Sequence, residues 1–175
     1  MFLETGHESP HTPPPFTAAL GSHVPDQLIV HRSRFEVDLN RDPEQAVYKT
    51  PEQSWGMKVW QDEELPDDVE ERSLAKHELF YDELAERLDK LAERGPFLVL
   101  DIHSYNHRRG DDHKPEPQVE NPDVNVGTGS LDRARWAPLV DAFNAALDAE
   151  TVGGRPIDVR ENVKFKGALR QRGDR

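Results

Sequence analysis

The sequence predicts an α/β fold, in which short strands alternate with helices. Four apolar runs of strand length occur along the chain, at residues 28–30, 97–102, 124–126 and 157–160. Apolar residues recur at helical spacing from Ser73 to Arg94 and again from Trp136 to Leu147. Because strands and helices follow one another in this order, the chain favours a sheet covered by helices over an all-helical or all-strand architecture.

The N-terminal part of the chain has the weakest pattern. Residues 1–26 are rich in proline, histidine and small polar residues, which predicts an extended segment. Residues 28–30 predict the first strand, and alternation of apolar and acidic residues over 35–38 predicts a second strand or a strand end. Residues 42–71 are acidic and marked by prolines, so they predict a long loop. Its aromatic residues would anchor that loop to the core or line a pocket; they include Tyr48, Trp55 and Trp60.

Two later segments have a clearer helical pattern than the N-terminal part has for any element. From Ser73 to Arg94 the apolar residues fall on one helical face, and Gly95-Pro96 ends the helix directly before the strand at 97–102. Ser130 or Asp132 would cap the second helix. Its inward face would carry Trp136, Leu139, Val140, Phe143 and Leu147.

Length, charge and composition limit the possible functions. The 175 residues suit one domain, expected at 27–167 between the extended segment 1–26 and a disordered basic tail at 168–175. A net charge of −12 argues against nucleic acid or an anionic membrane as a partner. The chain has no cysteine, so any metal must be held by His, Asp or Glu. With no signal peptide and no apolar run of about 20 residues, we expect a cytoplasmic protein.

The richest stretch of polar residues is DIHSYNHRR at 101–109, which follows an apolar strand. In open α/β sheets ligands bind at the carboxyl ends of the strands, so this stretch predicts a site. His103 is the best candidate metal ligand, although a lone histidine more often bonds a neighbouring loop. Asp101 either orients the ring of His103 or is an ordinary strand-terminal acid.

Four ordered blocks of this sequence resemble the N-formylglutamate amidohydrolase (N-formylglutamate deformylase) family. They are SRFEVDLNR at 33–41, DIHSYNHRR at 101–109, NVGTG at 125–129 and VRENV at 159–163. The resemblance implies an α/β, three-layer zinc-exopeptidase-like (phosphorylase/hydrolase-like) fold, a mixed sheet flanked by helices. It also implies hydrolysis of the formamide bond of N-formyl-L-glutamate to formate and L-glutamate, in histidine degradation.

The same resemblance implies a set of metal ligands. One zinc ion would be the cofactor, bound by His103 together with His7 and Glu4 from an early segment. In similar sequences a histidine stands where this chain has Glu4, so an acid would replace an imidazole as ligand. The alternative for this early segment is a histidine-bearing disordered arm.

The resemblance also implies residues for the substrate, a small acyl amino acid with carboxylates. Asn40 and Arg41 resemble the pair that holds the substrate carboxylate in zinc exopeptidases, since arginine binds carboxylates through two parallel hydrogen bonds. Arg34, Arg108 and Arg109 are further candidates, because N-formyl-L-glutamate carries two carboxylates. The alternatives are a surface arginine paired with an acid and, for residues 108–109, a solvated loop charge.

The ends of the chain raise a different expectation. The resemblance implies a further helix and strand after the block at 159–163, with the general base on that strand, so that the chain looks truncated at both ends and the fold incomplete. Glu161 is the nearest acid that could act as the base in its place. Two rival functions therefore remain: another zinc deacylase or carboxypeptidase-like hydrolase, or a truncated, non-catalytic family member.

Overall fold

A computed structural model describes residues 2–5, 16–60, 65–105 and 114–167, and the chain forms two compact units, Met1–Ser104 and Tyr105–Arg175. The elements of the first unit are β1 (Phe2–Thr5), α1 (Phe16–Gly21), β2 (Gln27–Val30), α2 (Asp67–Glu93) and β3 (Leu100–Ile102). Those of the second are β4 (Val124–Val126), α3 (Ala137–Asp148), β5 (Thr151–Val152), β6 (Arg155–Pro156) and β7 (Val159–Glu161). The mixed α/β class is confirmed. The unit boundary lies inside the range 27–167 that the sequence predicts as one domain.

The first unit is built on a parallel sheet in the order β2-β1-β3. The central strand, β1, pairs Thr5 with Val30 of β2 and Glu4 with Ile102 of β3. Parallel neighbours need crossover connections, and α1 and α2 lie on these connections. Residues 1–26, which the sequence predicts as an extended segment, therefore contain the central strand β1 and helix α1. Four residues are too short for a periodicity signal, so pairing on both edges of β1 decides its structure.

The helix predicted from Ser73 to Arg94 is confirmed as α2, which begins earlier, at Asp67. Pro66 precedes its first turn, where Asp67, Asp68 and Glu70 favour a start through their charge. Leu84 is buried at its centre. Partly buried side chains pack around Leu84, namely Leu28, Phe80, Tyr81, Leu88, Leu91 and Val99. In the described part of the chain, no helix is long and apolar enough to span a membrane.

The strand predicted around residues 35–38 is wrong, because residues 35 and 36 lie in a turn and residues 37 and 38 have no regular secondary structure. Val37, Asp38 and Leu39 are all buried, which a strand with one buried face does not allow. The N–H of Glu36 donates to the carbonyl of Ser33, and the N–H of Asp38 donates to that of Ala46. These bonds fold the segment so that three consecutive side chains face inward.

The second unit contains a parallel pair, β4 and β7, with Val124 opposite Val159 and Val126 opposite Glu161. The strand at 124–126 is confirmed. The last strand lies at Val159–Glu161, about two residues later than the sequence predicts. Between them, Gly153-Gly154 turn the β5–β6 hairpin with positive φ at both residues, a geometry that suits glycine.

Helix α3 differs from its prediction in two respects. Trp136 precedes its first turn, whereas the carboxylate of Asp132 accepts the N–H of Arg135 in the turn before the helix. Val140 is the buried residue of the predicted inward face, and Leu139 and Phe143 are exposed. Periodicity shows which side chains share a face, but a second layer must cover that face to bury it.

Candidate active site

His103 lies immediately after β3, at the carboxyl end of the parallel sheet. Its Nε2 is 2.8 Å from Oδ1 of Asp101, and both side chains are about one-third exposed (34% and 35%). Residues two apart on a strand share a face, which brings this carboxylate to the imidazole. A carboxylate on one ring nitrogen fixes the tautomer and orients the other nitrogen as a ligand.

The other predicted metal ligands belong to the neighbouring strand and the segment after it. The register places the backbone of Glu4 opposite Ile102, one residue before His103. His7, and likewise Arg108 and Arg109, lie outside the described residues. Within the ranges that the structure describes, no group of three or more His, Asp or Glu side chains is placed to hold a metal ion. Of the predicted ligands, the structure describes the side chain of His103, beside the Asp101 carboxylate.

A second polar group forms around Asp38, which is fully buried (0% exposed). One carboxylate oxygen, Oδ2, is 2.6 Å from Nη2 of Arg34 and 3.5 Å from Nε of Arg41. The hydroxyl of Tyr48 donates to the same oxygen. The other oxygen accepts the backbone N–H of Asn40 at 3.1 Å, and the Asn40 residue is itself exposed. Two of the predicted substrate-binding cations, Arg34 and Arg41, therefore share one carboxylate.

The group around Asp38 carries more positive than negative charge. Burial by itself would lower the pKa of Arg34, but the Asp38 carboxylate outweighs it and the pKa is raised. Burial and the bond to Asp38 together raise the pKa of Tyr48 to about 12, so this phenol stays protonated and donates. Two guanidinium ions then face a single carboxylate. Nε of Arg34 is also buried without a hydrogen-bond partner among the described residues. Because the two arginine side chains are still 29% and 25% exposed, their accessible donors can bind a further anion.

Trp55 covers the two arginines. Its ring centroid is 5.0 Å from the guanidinium carbon of Arg34 and 5.6 Å from that of Arg41, both within cation–π range. It also meets the Tyr48 ring edge-on, at 5.8 Å. Trp55 has φ +57°, a left-handed conformation that costs roughly 1–2 kcal/mol for a residue with a Cβ. Strain of this kind persists only where surrounding contacts impose it.

Several residues that the sequence analysis missed hold this group in place. Nη2 of Arg41 donates to the carbonyl of Gln53 at 3.2 Å, and Nε2 of His77 lies 3.0 Å from the carbonyl of Arg41. The hydroxyl of Tyr81 donates to the carbonyl of Leu39 at 2.6 Å. His77 and Tyr81 belong to α2, so this helix positions the Arg41 segment. In the sequence, these two residues stand out only as side chains that can hydrogen-bond on an otherwise apolar helix face.

Glu161, the candidate general base, is in the second unit and is held by other side chains. Its carboxylate accepts two bonds from Arg133, both of 2.9 Å, and one of 2.7 Å from Nδ2 of Asn144. The bond to Arg133 lowers the pKa of Glu161 despite the opposing effect of burial. A general base works best with a pKa near the operating pH. The geometry therefore favours an ion-pair role for Glu161.

The two sequence blocks of the second unit interlock. Asn162 accepts the Thr128 N–H at 2.9 Å through Oδ1 and donates to Thr128 Oγ1 at 2.8 Å through Nδ2. A Cβ on Gly127 would lie 2.7 Å from the backbone nitrogen of Gly167, so only glycine allows this approach. The residue types of these two blocks thus have a structural cause in the packing of β4 and β7.

The family model described as N-formylglutamate amidohydrolase matches residues 8–173, nearly the whole chain. That range includes the four blocks at 33–41, 101–109, 125–129 and 159–163. No curated protein and no solved structure matches the chain. The assignment of the family therefore rests on the family model and on the residues described above.

Proposed function

The chain belongs to the N-formylglutamate amidohydrolase family and is an amidohydrolase, and we propose that it hydrolyses N-formyl-L-glutamate to formate and L-glutamate with one zinc ion. The observation that carries the substrate class is the pair of guanidinium ions on a single buried carboxylate, Arg34 and Arg41 on Asp38. Histidine degradation in the cytoplasm and the three-layer zinc-exopeptidase-like fold are part of this proposal. The parallel sheet with helical crossovers supports the fold.

The arginine pair suits a substrate with carboxylates. Arg34 and Arg41 carry two positive charges and Asp38 one negative charge, so an incoming carboxylate neutralises the excess. Both side chains are mostly covered, at 29% and 25% exposed, which strengthens ion pairs relative to those at the open surface. A second carboxylate needs another cation, and Arg108 and Arg109 are the proposed ones. Asn40, next to Arg41 and exposed, would add an amide donor.

The metal would be held by His103 with His7 and Glu4. The donor set suits zinc, since imidazole and carboxylate are both zinc ligands and the Asp101 carboxylate orients the imidazole of His103. When bound, zinc supplies a water of lowered pKa and polarises a carbonyl. Hydrolysis adds the elements of water across the C–N bond: the formyl carbon takes the hydroxyl and the nitrogen takes the proton. Glu161 is not assigned a proton-transfer step, because Arg133 and Asn144 engage it.

Formate release tests this function directly. We expect the full chain to release formate from N-formyl-L-glutamate, and a chelator to stop the reaction until zinc is restored. N-acetyl-L-aspartate and a short peptide serve as comparison substrates. Faster turnover of either one would replace the proposed reaction by that of another zinc deacylase or carboxypeptidase-like hydrolase. A rate unaffected by chelation would contradict the role of the metal.

Arg41→Lys should weaken binding of L-glutamate by about 1.5–3 kcal/mol, because a charged hydrogen bond is lost and lysine cannot bind a carboxylate through two parallel bonds. Lysine would also lose the stacking of Arg41 on the Tyr48 ring, where the guanidinium carbon is 4.5 Å from the ring centroid. Isothermal calorimetry on wild type and variant measures the difference.

Arg32→Lys is the matched control for this substitution. Arg32 lies in the same segment, is 60% exposed and faces Glu36 at 3.6 Å, so its replacement should leave glutamate affinity unchanged. Equal affinities of wild type and Arg41→Lys would remove Arg41 from the substrate site.

A further inference from the structure

Trp55 is an exposed aromatic residue whose position needs an explanation. It is 60% exposed, although its ring contacts the buried cluster of Arg34, Asp38, Arg41 and Tyr48. Trp60, from the same loop, instead donates its indole N–H to the carbonyl of Tyr48 and is only partly exposed. Trp60 therefore anchors the loop. Anchoring of the loop does not explain the exposed indole of Trp55.

The turn that presents Trp55 is held from several sides. Pro51–Ser54 form a single 3-10 turn, and the side chain of Gln53 accepts the N–H groups of Lys49 and Thr50 at 2.6 and 3.2 Å. The hydroxyl of Ser54, which is fully buried, donates to the carbonyl of Met57 at 2.6 Å. These bonds impose a left-handed conformation on Trp55 that glycine would adopt without strain. A tryptophan at this position is conformationally unfavourable, and strained residues of this kind cluster at functional sites.

The contact with the Trp55 ring leaves Arg34 and Arg41 able to bind a carboxylate. A guanidinium that stacks on an aromatic ring uses its flat face, whereas its N–H donors point outward in the plane. The contact of Trp55 with Arg34 uses none of the Arg34 hydrogen-bond donors, and the Arg34 side chain stays 29% exposed beside the indole. The part of the indole that does not cover the arginines is apolar surface beside an unneutralised positive charge.

We propose that Trp55 is a specificity residue, whose indole forms the apolar wall of the subsite where Arg34 and Arg41 bind the side-chain carboxylate of the substrate. This inference rests on the proposed function and deepens it. The methylene groups of the substrate pack against the indole while the carboxylate pairs with the arginines. The favoured class is an N-acyl amino acid whose carboxylate stands on a short aliphatic stem. A neutral amide in place of that carboxylate leaves the excess charge unpaired and binds more weakly.

Trp55→Gly separates the role of the ring from the stability of the fold. Glycine relieves the left-handed strain, so the variant should melt within about 3 °C of wild type. Its affinity for L-glutamate should fall about tenfold, equivalent to about 1.4 kcal/mol, and Trp55→Phe should recover part of this loss. Unchanged affinity would overturn the proposal. So would a fall in melting temperature that accompanies the loss of affinity, because the ring would then act structurally.

Trp136→Ala is the matched control. Trp136 is also partly exposed and also lies against an arginine, with the guanidinium carbon of Arg135 5.3 Å from its ring centroid. In the part of the chain that the structure describes, Arg135 does not share a carboxylate with a second arginine. Its replacement should leave glutamate affinity unchanged. An equal loss in this control would mean that the effect of Trp55 is not local, and would count against the proposal.

Calorimetry tests the Trp55 subsite independently of the proposed hydrolysis, because glutamate binding is measured without turnover. If wild type binds glutamate and Trp55→Gly binds it about tenfold more weakly, the subsite stands even when N-formyl-L-glutamate is not cleaved. If the substrate is cleaved, the same variant should raise KM and leave kcat nearly unchanged, and L-glutamine should lose affinity relative to L-glutamate in wild type. Wild-type protein that binds neither amino acid overturns the proposal.

Discussion

His103→Ala should abolish stoichiometric zinc uptake and lower formate release by at least about 10²-fold. The imidazole stands at the carboxyl end of β3, beside the central strand, and its Nε2 is 2.8 Å from the Asp101 carboxylate. Loss of the ring removes a proposed metal ligand while leaving the sheet pairing untouched, because β3 ends at Ile102. Metal content by atomic spectroscopy and secondary structure by circular dichroism measure the two effects separately.

Two further variants test whether zinc uptake depends on the His103 ring itself and on its carboxylate partner. Asp101→Asn keeps the ligand but removes the carboxylate that orients it, so zinc affinity should fall by about 10–100-fold rather than vanish. His23→Ala replaces an exposed histidine in the loop before β2, at the other end of the strands, and should change nothing. Normal zinc content in His103→Ala would remove His103 from the ligand set.

Asp38→Asn should destabilise the protein by about 3 kcal/mol and abolish measurable binding of L-glutamate. Removing one partner of a buried ion pair typically costs about 3–5 kcal/mol, and the lower end applies here because Arg34 and Arg41 keep some contact with solvent. The two guanidinium ions would repel each other without the carboxylate that holds them. Urea unfolding gives the change in stability, and calorimetry gives the change in binding.

Glu36→Gln is the matched control for Asp38→Asn. Glu36 also faces two cations, Arg32 and Lys76, and it lies two residues away in the same segment. It is more exposed than Asp38, at 28% against 0%, so its pairs are screened by water and the variant should lose less than about 1 kcal/mol. Similar losses in both variants would show that burial of Asp38 does not set the strength of its pairs.

Features that depend on short-range pattern could be predicted from the amino-acid sequence. The helical periodicity after residue 73 locates α2, because i, i+4 spacing puts Leu84 and Leu88 on one face. The apolar runs at 28–30 and 124–126 locate β2 and β4. The four ordered blocks at 33–41, 101–109, 125–129 and 159–163 indicate the family, which the match over 8–173 confirms. His103 as a strand-end residue is likewise local information, because it directly follows an apolar run.

The burial and grouping of the candidate residues depend on tertiary contacts that no local pattern reveals. Arg34 and Arg41 lie four and three residues from Asp38, but the pattern of the sequence does not show that this carboxylate is buried, or that Tyr48 joins it from ten residues away. The same buried carboxylate explains why the strand predicted at 35–38 does not form. Pairing with β2 and β3 makes a central strand of a segment whose pattern predicts an extended arm.

The physical reason is the range of the interactions. Periodicity and turn residues describe interactions within a few residues, whereas sheet pairing, the ion pair of Arg133 with Glu161 and the cover over a helix face join parts of the chain that are far apart in sequence. Glu161 illustrates this: its position after a strand suggests chemistry, but Arg133 and Asn144 reach it from the region around α3 and hold its pKa low. Trp55 illustrates it again, because an ordinary loop aromatic in the sequence becomes the cover of two arginines in the fold.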